Sequence, residues 1–273
     1  MNTFIRIKRS LLSLLTIFCL ASCDSGEDDL VNEIKENTML NLDGKLVKSV
    51  GNNFSFSYDT NGKLISYKHY STNYEVSIDP FVLQRNTSSS REVISFFMNS
   101  LGYVSRINEV SSAETKDGSF LDKRDYDLSY NKFGQMISMQ VKHDYTEESG
   151  GVTFREKGTE SYTIKYDGSV LNSIEFRIVF EEDEEEYGIY TFFYDTPYDN
   201  AFCQYTPAIA GAIFEDQTLV GLAYLGIFGK STTALPSHYL FDNNNKSTCS
   251  YSFNPDGSLA SVGSVRYTYV SQY

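Results

Sequence analysis

The sequence has little of what most enzymes and nucleic-acid-binding proteins use. It has no tryptophan and only three histidines, His69, His143 and His238, which lie far apart. Its 23 Lys and Arg are outnumbered by 36 Asp and Glu, giving a net charge of −13, which argues against a nucleic-acid partner because phosphates require a basic surface. No H-E-x-x-H, G-x-S-x-G, P-loop or G-x-G-x-x-G motif occurs. We therefore expect no catalytic residues, no metal site and no cofactor.

Long apolar runs are also missing, and the most apolar N-terminal stretch, residues 11–20, is about half the length of a spanning helix, which needs about 20 residues. This stretch follows three cations and precedes small residues, which is the layout of an export signal over residues 1–22. The segment Leu20-Ala21-Ser22-Cys23 resembles the bacterial lipoprotein box. The resemblance implies cleavage between Ser22 and Cys23 and acylation of the Cys23 thiol, with fatty acids such as palmitate.

Acidic residues follow Cys23 directly. Loss of residues 1–22 removes three cations and no acid, so the net charge of the mature chain falls from −13 to −16. Residues 23–38 are predicted to be a flexible acidic tether, because like charges and low hydrophobicity oppose packing. The same acids resemble the surface-export signal of Bacteroidota lipoproteins, and they are Asp24, Glu27, Asp28 and Asp29. We expect an outer-membrane lipoprotein that contacts the membrane through Cys23 and faces either the cell exterior or the periplasm.

Cysteine is scarce in the mature chain. Only Cys203 and Cys249 remain besides the lipidated residue. In an oxidising compartment the two can form a disulfide, and the alternative is that each is a small buried hydrophobic residue.

Turns with glycine recur from residue 40 onward. Asp-Gly or Asn-Gly is followed two positions later by an apolar residue at 43–46, 61–64, 167–170 and 256–259, with looser copies at 101–104 and 133–136. Tyrosine, phenylalanine, isoleucine and valine alternate with polar residues on both sides of these turns, which is typical of half-buried antiparallel strands. The sequence predicts a single β-rich domain over residues 39–273, built as a meander of hairpins.

One insertion departs from this pattern, at about residues 207–229. Thr206-Pro207 favours a helix start, and residues 208–214 and 218–228 are predicted to form two short apolar helices, the second ending at Gly229. Helices that are apolar on most sides must be covered. We therefore predict a curved antiparallel sheet, or an open half-barrel, with the two helices packed on its concave face.

Two resemblances agree with this fold. The segment Phe56-Ser57-Tyr58-Asp59-Thr60-Asn61-Gly62-Lys63-Leu64 looks like the core of a YD repeat, although only the turn is shared. The lipoprotein box, the hairpins and the late segment from Leu222 to Lys230, followed by Leu235-Pro236, are similar to the Bacteroidota lipoprotein family catalogued as domain of unknown function 4595. This resemblance implies a mostly antiparallel β fold and no assigned activity.

Three functions compete at this point. The first is a non-catalytic binding or scaffolding lipoprotein with a protein or glycan ligand, which predicts an exposed patch drawn from the 21 tyrosines and 19 phenylalanines. The second is a carrier of a lipid or other hydrophobic ligand, which predicts an apolar cavity between the sheet and the helices. The third is a hydrolase with an unrecognised site, which predicts a cleft with carboxylates or a histidine of shifted pKa.

Overall fold

The computed structural model describes residues 46–181, 185–195, 198–199 and 206–270. These residues form nineteen strands and two short helices. The first twelve strands, β1 to β12, are Val47–Val50, Phe54–Tyr58, Leu64–His69, Thr72–Ile78, Phe81–Asn86, Ser90–Met98, Val104–Thr115, Gly118–Tyr130, Met136–Ser149, Val152–Asp167, Val170–Phe180 and Glu186–Phe193. The remaining strands, β13 to β19, are Tyr198–Asp199, Ala234–Leu235, His238–Phe241, Asn245–Thr248, Tyr251–Phe253, Leu259–Val262 and Val265–Tyr269. Helix α1 is Pro207–Ile213 and helix α2 is Gln217–Ala223.

Seventeen of the described strands form one antiparallel sheet. Strands β1 to β12 pair in chain order, β12 continues to β15 and β16, and β19 flanks β1 on the other side, followed by β18 and β17. Strands β13 and β14 form a separate pair. The predicted meander is confirmed.

The sheet curves almost completely round. Its two edge strands, β16 and β17, are consecutive in the chain and are joined only by Cys249 and Ser250. Two linking residues reach about 10 Å at most, so these edges must come close together at this end. No register pairs β16 with β17 within the described residues, so the sheet stays open and does not close into a barrel. The predicted curved, open sheet is confirmed.

The hairpin turns lie where the glycines predict them. Gly62 has a φ of 78°, a left-handed conformation that costs glycine least, and positive φ also occurs at Gly102, Gly134, Gly168 and Gly257. In the first turn the Asp59 carboxylate accepts hydrogen bonds from the backbone N–H groups of Asn61 and Lys63, both at 2.9 Å. Asn99 and Asn131 make the same pair of bonds in the turns of Gly102 and Gly134. The side chain three residues before the glycine therefore shapes these turns, a signal that the dipeptide pattern did not show.

The helical insertion begins as predicted and ends earlier. The Thr206 hydroxyl accepts a hydrogen bond from Ile209 N at 3.0 Å, and Pro207 occupies the first turn. Helix α2 ends at Ala223 rather than at residue 228. The reason is that Leu225 N and Gly226 N bond to carbonyls three residues back, and Gly226 then has a φ of 72°. The prediction of a longer second helix was wrong, because from Tyr224 onward these shorter bonds replace the helical ones, and the left-handed Gly226 then turns the chain away.

Both helices pack inside the curve of the sheet. The Tyr67 hydroxyl donates to Thr218 O at 3.2 Å, and the Tyr224 ring packs against Phe54 and Tyr267. The backbone continues along the sheet after α2, where Val104 N donates to Ile227 O at 2.8 Å. Nearly all side chains of α1 and α2 are buried. The helices thus form the inner part of one core, which confirms the predicted concave position.

Candidate functional site

A row of charged side chains crosses the concave face on strands β6 to β10. These residues share the face of the buried hydrophobic side chains, and we call them the polar belt: Glu92, Glu109, Asp122, Arg124, His143 and Glu160. Glu109 is opposite Arg124 in the register of β7 and β8, and Arg124 is opposite His143 in that of β8 and β9. The sheet therefore places in one row side chains that are distant in the sequence, and its two end members, Glu92 and Glu160, are 68 positions apart.

Each buried carboxylate of the polar belt has a tyrosine as its hydrogen-bond donor. The Tyr126 hydroxyl donates to Glu109 Oε2 at 2.9 Å, and the Tyr162 hydroxyl donates to Glu160 Oε2 at 2.9 Å. Tyr74 donates to Glu92 at 3.2 Å, and Arg85 Nε lies 3.1 Å from the same carboxylate. These bonds offset the cost of burying the carboxylates, which would be several kcal/mol for an unpaired charge.

Burial raises the pKa of these glutamates. The pKa of Glu109, which is only 6% exposed, rises to about 8, because desolvation penalises the charged form and the nearby Asp216 carboxylate adds repulsion. The pKa values of Glu92 and Glu160 are also raised, mainly by desolvation. Glu109 thus keeps its proton at neutral pH.

Asp122 behaves in the opposite way. Its Oδ1 lies 2.8 Å from His143 Nε2, and its Oδ2 lies 3.3 Å from an Arg124 nitrogen. Burial by itself raises the pKa of Asp122, but the His143 hydrogen bond and the Arg124 guanidinium outweigh it and hold the pKa below its ordinary value. Arg124, only 9% exposed, is therefore paired with a charged carboxylate.

Beyond the polar belt, toward the turns at 116–117 and 150–151, the same concave face is open to solvent. We call this part the distal face, formed by Phe120, Tyr145, Glu147, Phe154 and Glu156. Phe120 is 36% exposed and Phe154 is 43% exposed, so this surface presents aromatic rings to solvent. The Tyr145 ring centroid lies 6.3 Å from those of Phe120 and Phe154. The exposed rings therefore form one contiguous patch.

A groove of about 960 Å³ lies at another place, between β1, β2, β19 and the two helices. Val50, Phe54, Val220 and Tyr224 supply apolar surface, and polar residues including Arg266 complete the lining.

None of the site residues predicted from the sequence belongs to the polar belt or the distal face, and most of them lie outside the described residues. Ser22, Cys23, Asp24, Glu27, Asp28, Asp29 and Cys203 lie outside the described residues. Cys249 is buried in the core. Its pairing with Cys203 stays a prediction, because Cys203 lies outside the described residues. Within the described residues no group of three or more His, Cys, Asp or Glu is placed to hold a metal ion. No described helix has the length and apolar character needed to cross a membrane.

Sequence reasoning missed the polar belt. The alternation of the strands indicates it, because residues two apart in a strand lie on the same face. Glu109 is two residues from the buried Ile107, and Glu160 is two residues from the buried Tyr162. A charged residue in the apolar phase of a strand must point into the core or to a ligand. The three histidines all lie in strands, and His143 belongs to the polar belt.

Comparison with known proteins shows likeness in fold. No protein-family model matches the chain, and no curated protein matches it. A porin-like protein from Bacteroides vulgatus ATCC 8482 is 14% identical over 83% of this chain and 99% of its own, with a TM-score of 0.54. A porin-like protein from Bacteroides uniformis ATCC 8492 is 16% identical over 80% of this chain and 90% of its own, with a TM-score of 0.43. At such identity the first structure shows a shared fold alone. Membership of domain of unknown function 4595 stays a prediction.

Proposed function

We propose that the protein is a lipid-anchored outer-membrane binding protein that holds a ligand on the distal face and does not transform it. The observation that carries this proposal is the contiguous patch in which the half-buried Tyr145 joins the exposed rings of Phe120 and Phe154. Exposed aromatic rings that lose water on contact are typical anchors of binding sites. The fold supplies the support, because each ring projects from a residue that is paired in the sheet and not from a loop.

The polar belt supports binding in preference to catalysis. A general acid or base must reach a substrate atom within hydrogen-bond distance. Glu109 and Glu160 are almost fully buried, and each already accepts a tyrosine hydroxyl. Their raised pKa values therefore have a structural explanation in desolvation, and they mark the core side of the distal face.

A ligand screen with matched variants tests the proposed function. The full chain would be screened against peptides and glycans, together with Phe154→Ser and the control Phe133→Ser. Phe133 is also exposed but lies in a turn, away from the distal face. We expect a ligand whose binding is lost in the first variant and retained in the second. Equal retention by both variants would place the ligand elsewhere and refute the role of the distal face.

The membrane anchor has its own test. Cys23→Ala should move the protein from the membrane fraction to the soluble fraction, because acyl chains contribute about 0.8 kcal/mol per buried methylene to membrane binding. Ser25→Ala keeps the cysteine and should leave the protein in the membrane. Membrane retention of Cys23→Ala would contradict the lipoprotein box.

The groove favours a second candidate function, the transport of an amphipathic lipid. Its apolar side, with Phe54 and Val220, can take an acyl chain, and Arg266 can pair with an acidic headgroup. At the centre of the helix-to-sheet interface there is no such space, because Gly221 packs directly against Tyr67 and Phe54. Saturable one-to-one binding of a fluorescent fatty acid, competed by palmitate, would favour this function over the first.

A further inference from the structure

The cations, but not the carboxylates, are confined to one of the two faces of the hairpins that form the distal face. Strand alternation places Glu147 and Glu156 on the concave side, and within the described strands β8 to β10 no Lys or Arg lies on the distal face with them. The cations beside these residues alternate with them along the strands, so they point to the other side of the sheet and are exposed on the convex face: Lys123, Lys142, Arg155 and Lys157. A single register without bulges in this region fixes that separation.

We infer that the distal face binds a basic peptide segment, with lysine or arginine side chains seated between its carboxylates and aromatic rings. This inference rests on the proposed function and names the class of its ligand. Charge complementarity supports it, because the described strand residues of the distal face include two carboxylates and no cation, in a chain of net charge −13.

The aromatic rings suit the same ligand. Phe120 and Phe154 are both opposite Glu147 in the strand register, so each ring is the cross-strand neighbour of a carboxylate. A cation over a ring face is attracted by the ring quadrupole, and the aliphatic stem of lysine or arginine covers apolar surface beside it. The Tyr145 hydroxyl donates to Glu147 Oε2 at 2.9 Å, which holds that carboxylate over the patch.

The polar belt does not cancel this charge. Its one guanidinium beside the distal face, that of Arg124, is paired with Asp122 at 3.3 Å and is only 9% exposed. A neutral sugar could also stack on these rings, but it would not require the strict separation of cations to the convex side. A basic peptide accounts for both the rings and the charge pattern.

The test compares two double variants that remove the same charge from opposite faces of the same strands. Glu147→Gln with Glu156→Gln removes two carboxylates from the distal face, and Asp144→Asn with Glu148→Gln removes two carboxylates from the convex side. The probe is a fluorescein-labelled nine-residue peptide of alternating lysine and glycine, with a glutamine-glycine peptide as the neutral control. Anisotropy is measured on the full chain in neutral detergent at 0.15 M salt, where charges beyond about 8 Å are largely screened.

We expect the wild type to bind the lysine peptide and not the glutamine peptide. Loss of the two distal-face carboxylates should weaken binding about threefold to tenfold, and loss of the two convex-side carboxylates should change it less than twofold. Phe154→Leu should weaken it about threefold through loss of the ring, whereas Phe133→Leu should not.

Three results would overturn the inference in distinguishable ways. Equal weakening by both double variants would show that only net charge matters. Binding of maltohexaose in place of the lysine peptide, weakened by Phe154→Leu, would refute the basic ligand but retain the proposed function. Absence of lysine-peptide binding refutes the inference, and if the peptide and glycan screen also yields no ligand that depends on Phe154, the proposed function fails with it.

Discussion

Replacing Gly221 with alanine tests how closely the helices and the sheet are packed. An added Cβ would lie 2.6 Å from Phe54 Cδ1 and closer still to the Tyr67 hydroxyl, and real Cβ atoms essentially never come within 3.0 Å of such neighbours. Both neighbours are buried and belong to adjacent paired strands, so neither can move freely.

The direction of the effect depends on two opposing contributions. In a helix interior alanine is favoured over glycine by about 1 kcal/mol. Overpacking of a core costs about 1–3 kcal/mol, and the upper part of this range, about 2–3 kcal/mol, applies here because the new Cβ meets two buried aromatic residues. We expect Gly221→Ala to lower the free energy of unfolding by about 1–2 kcal/mol, which corresponds to a fall in Tm of about 2–8 °C for a domain of this size.

Thermal unfolding followed by circular dichroism measures this change, and a double-mutant cycle identifies its source. Tyr67→Phe removes the nearest atom but also its 3.2 Å hydrogen bond to Thr218 O, so alone it should cost about 1 kcal/mol. In the Gly221→Ala background it should cost less, because it relieves part of the clash. An unchanged or raised Tm for Gly221→Ala, or strict additivity in the cycle, would refute the close packing.

The other predictions concern the belt, a helix cap and export. Burial holds the pKa of Glu109 at about 8, against an ordinary value of 4.5, so the folded state binds the extra proton between these values. The stability that this proton contributes is therefore complete below pH 4.5 and is lost as the pH rises through 8, by up to about 1.4 kcal/mol per pH unit. In urea unfolding, Glu109→Gln should reduce the pH dependence of the free energy of unfolding over this window. An unchanged pH dependence would contradict the assignment. Thr206→Ala should cost about 1 kcal/mol in the same assay, because Ile209 N loses its acceptor, whereas the exposed Thr153→Ala should change stability by less than about 0.5 kcal/mol. Neutral replacement of Asp24–Asp29 should reduce cleavage by protease added to intact cells, and equal cleavage with and without the acids would refute the surface-export signal.

Much of the fold follows from local sequence patterns. The turn at Gly62 and its later copies could be predicted because a left-handed backbone favours glycine, and the strands could be predicted because alternation has a period of two. The start of α1 could be predicted because Thr206 and Pro207 satisfy the orphan N–H groups of a helix start locally. The end of α2 could not, because the departure at Gly226 depends on the packing of the following segment, where Ile227 O accepts from Val104 N.

The candidate site was decided only by the tertiary structure. The sequence by itself determined an acidic chain of antiparallel hairpins with one apolar helical insertion, since charge, alternation and turn residues are local properties. It left open which of the many acids matter, because Glu109, Arg124 and His143 become neighbours only when three strands align in register. Likewise the exposed rings of Phe120 and Phe154 resemble core residues in the sequence, and only the position of the helices decides where the concave face is covered and where it stays open.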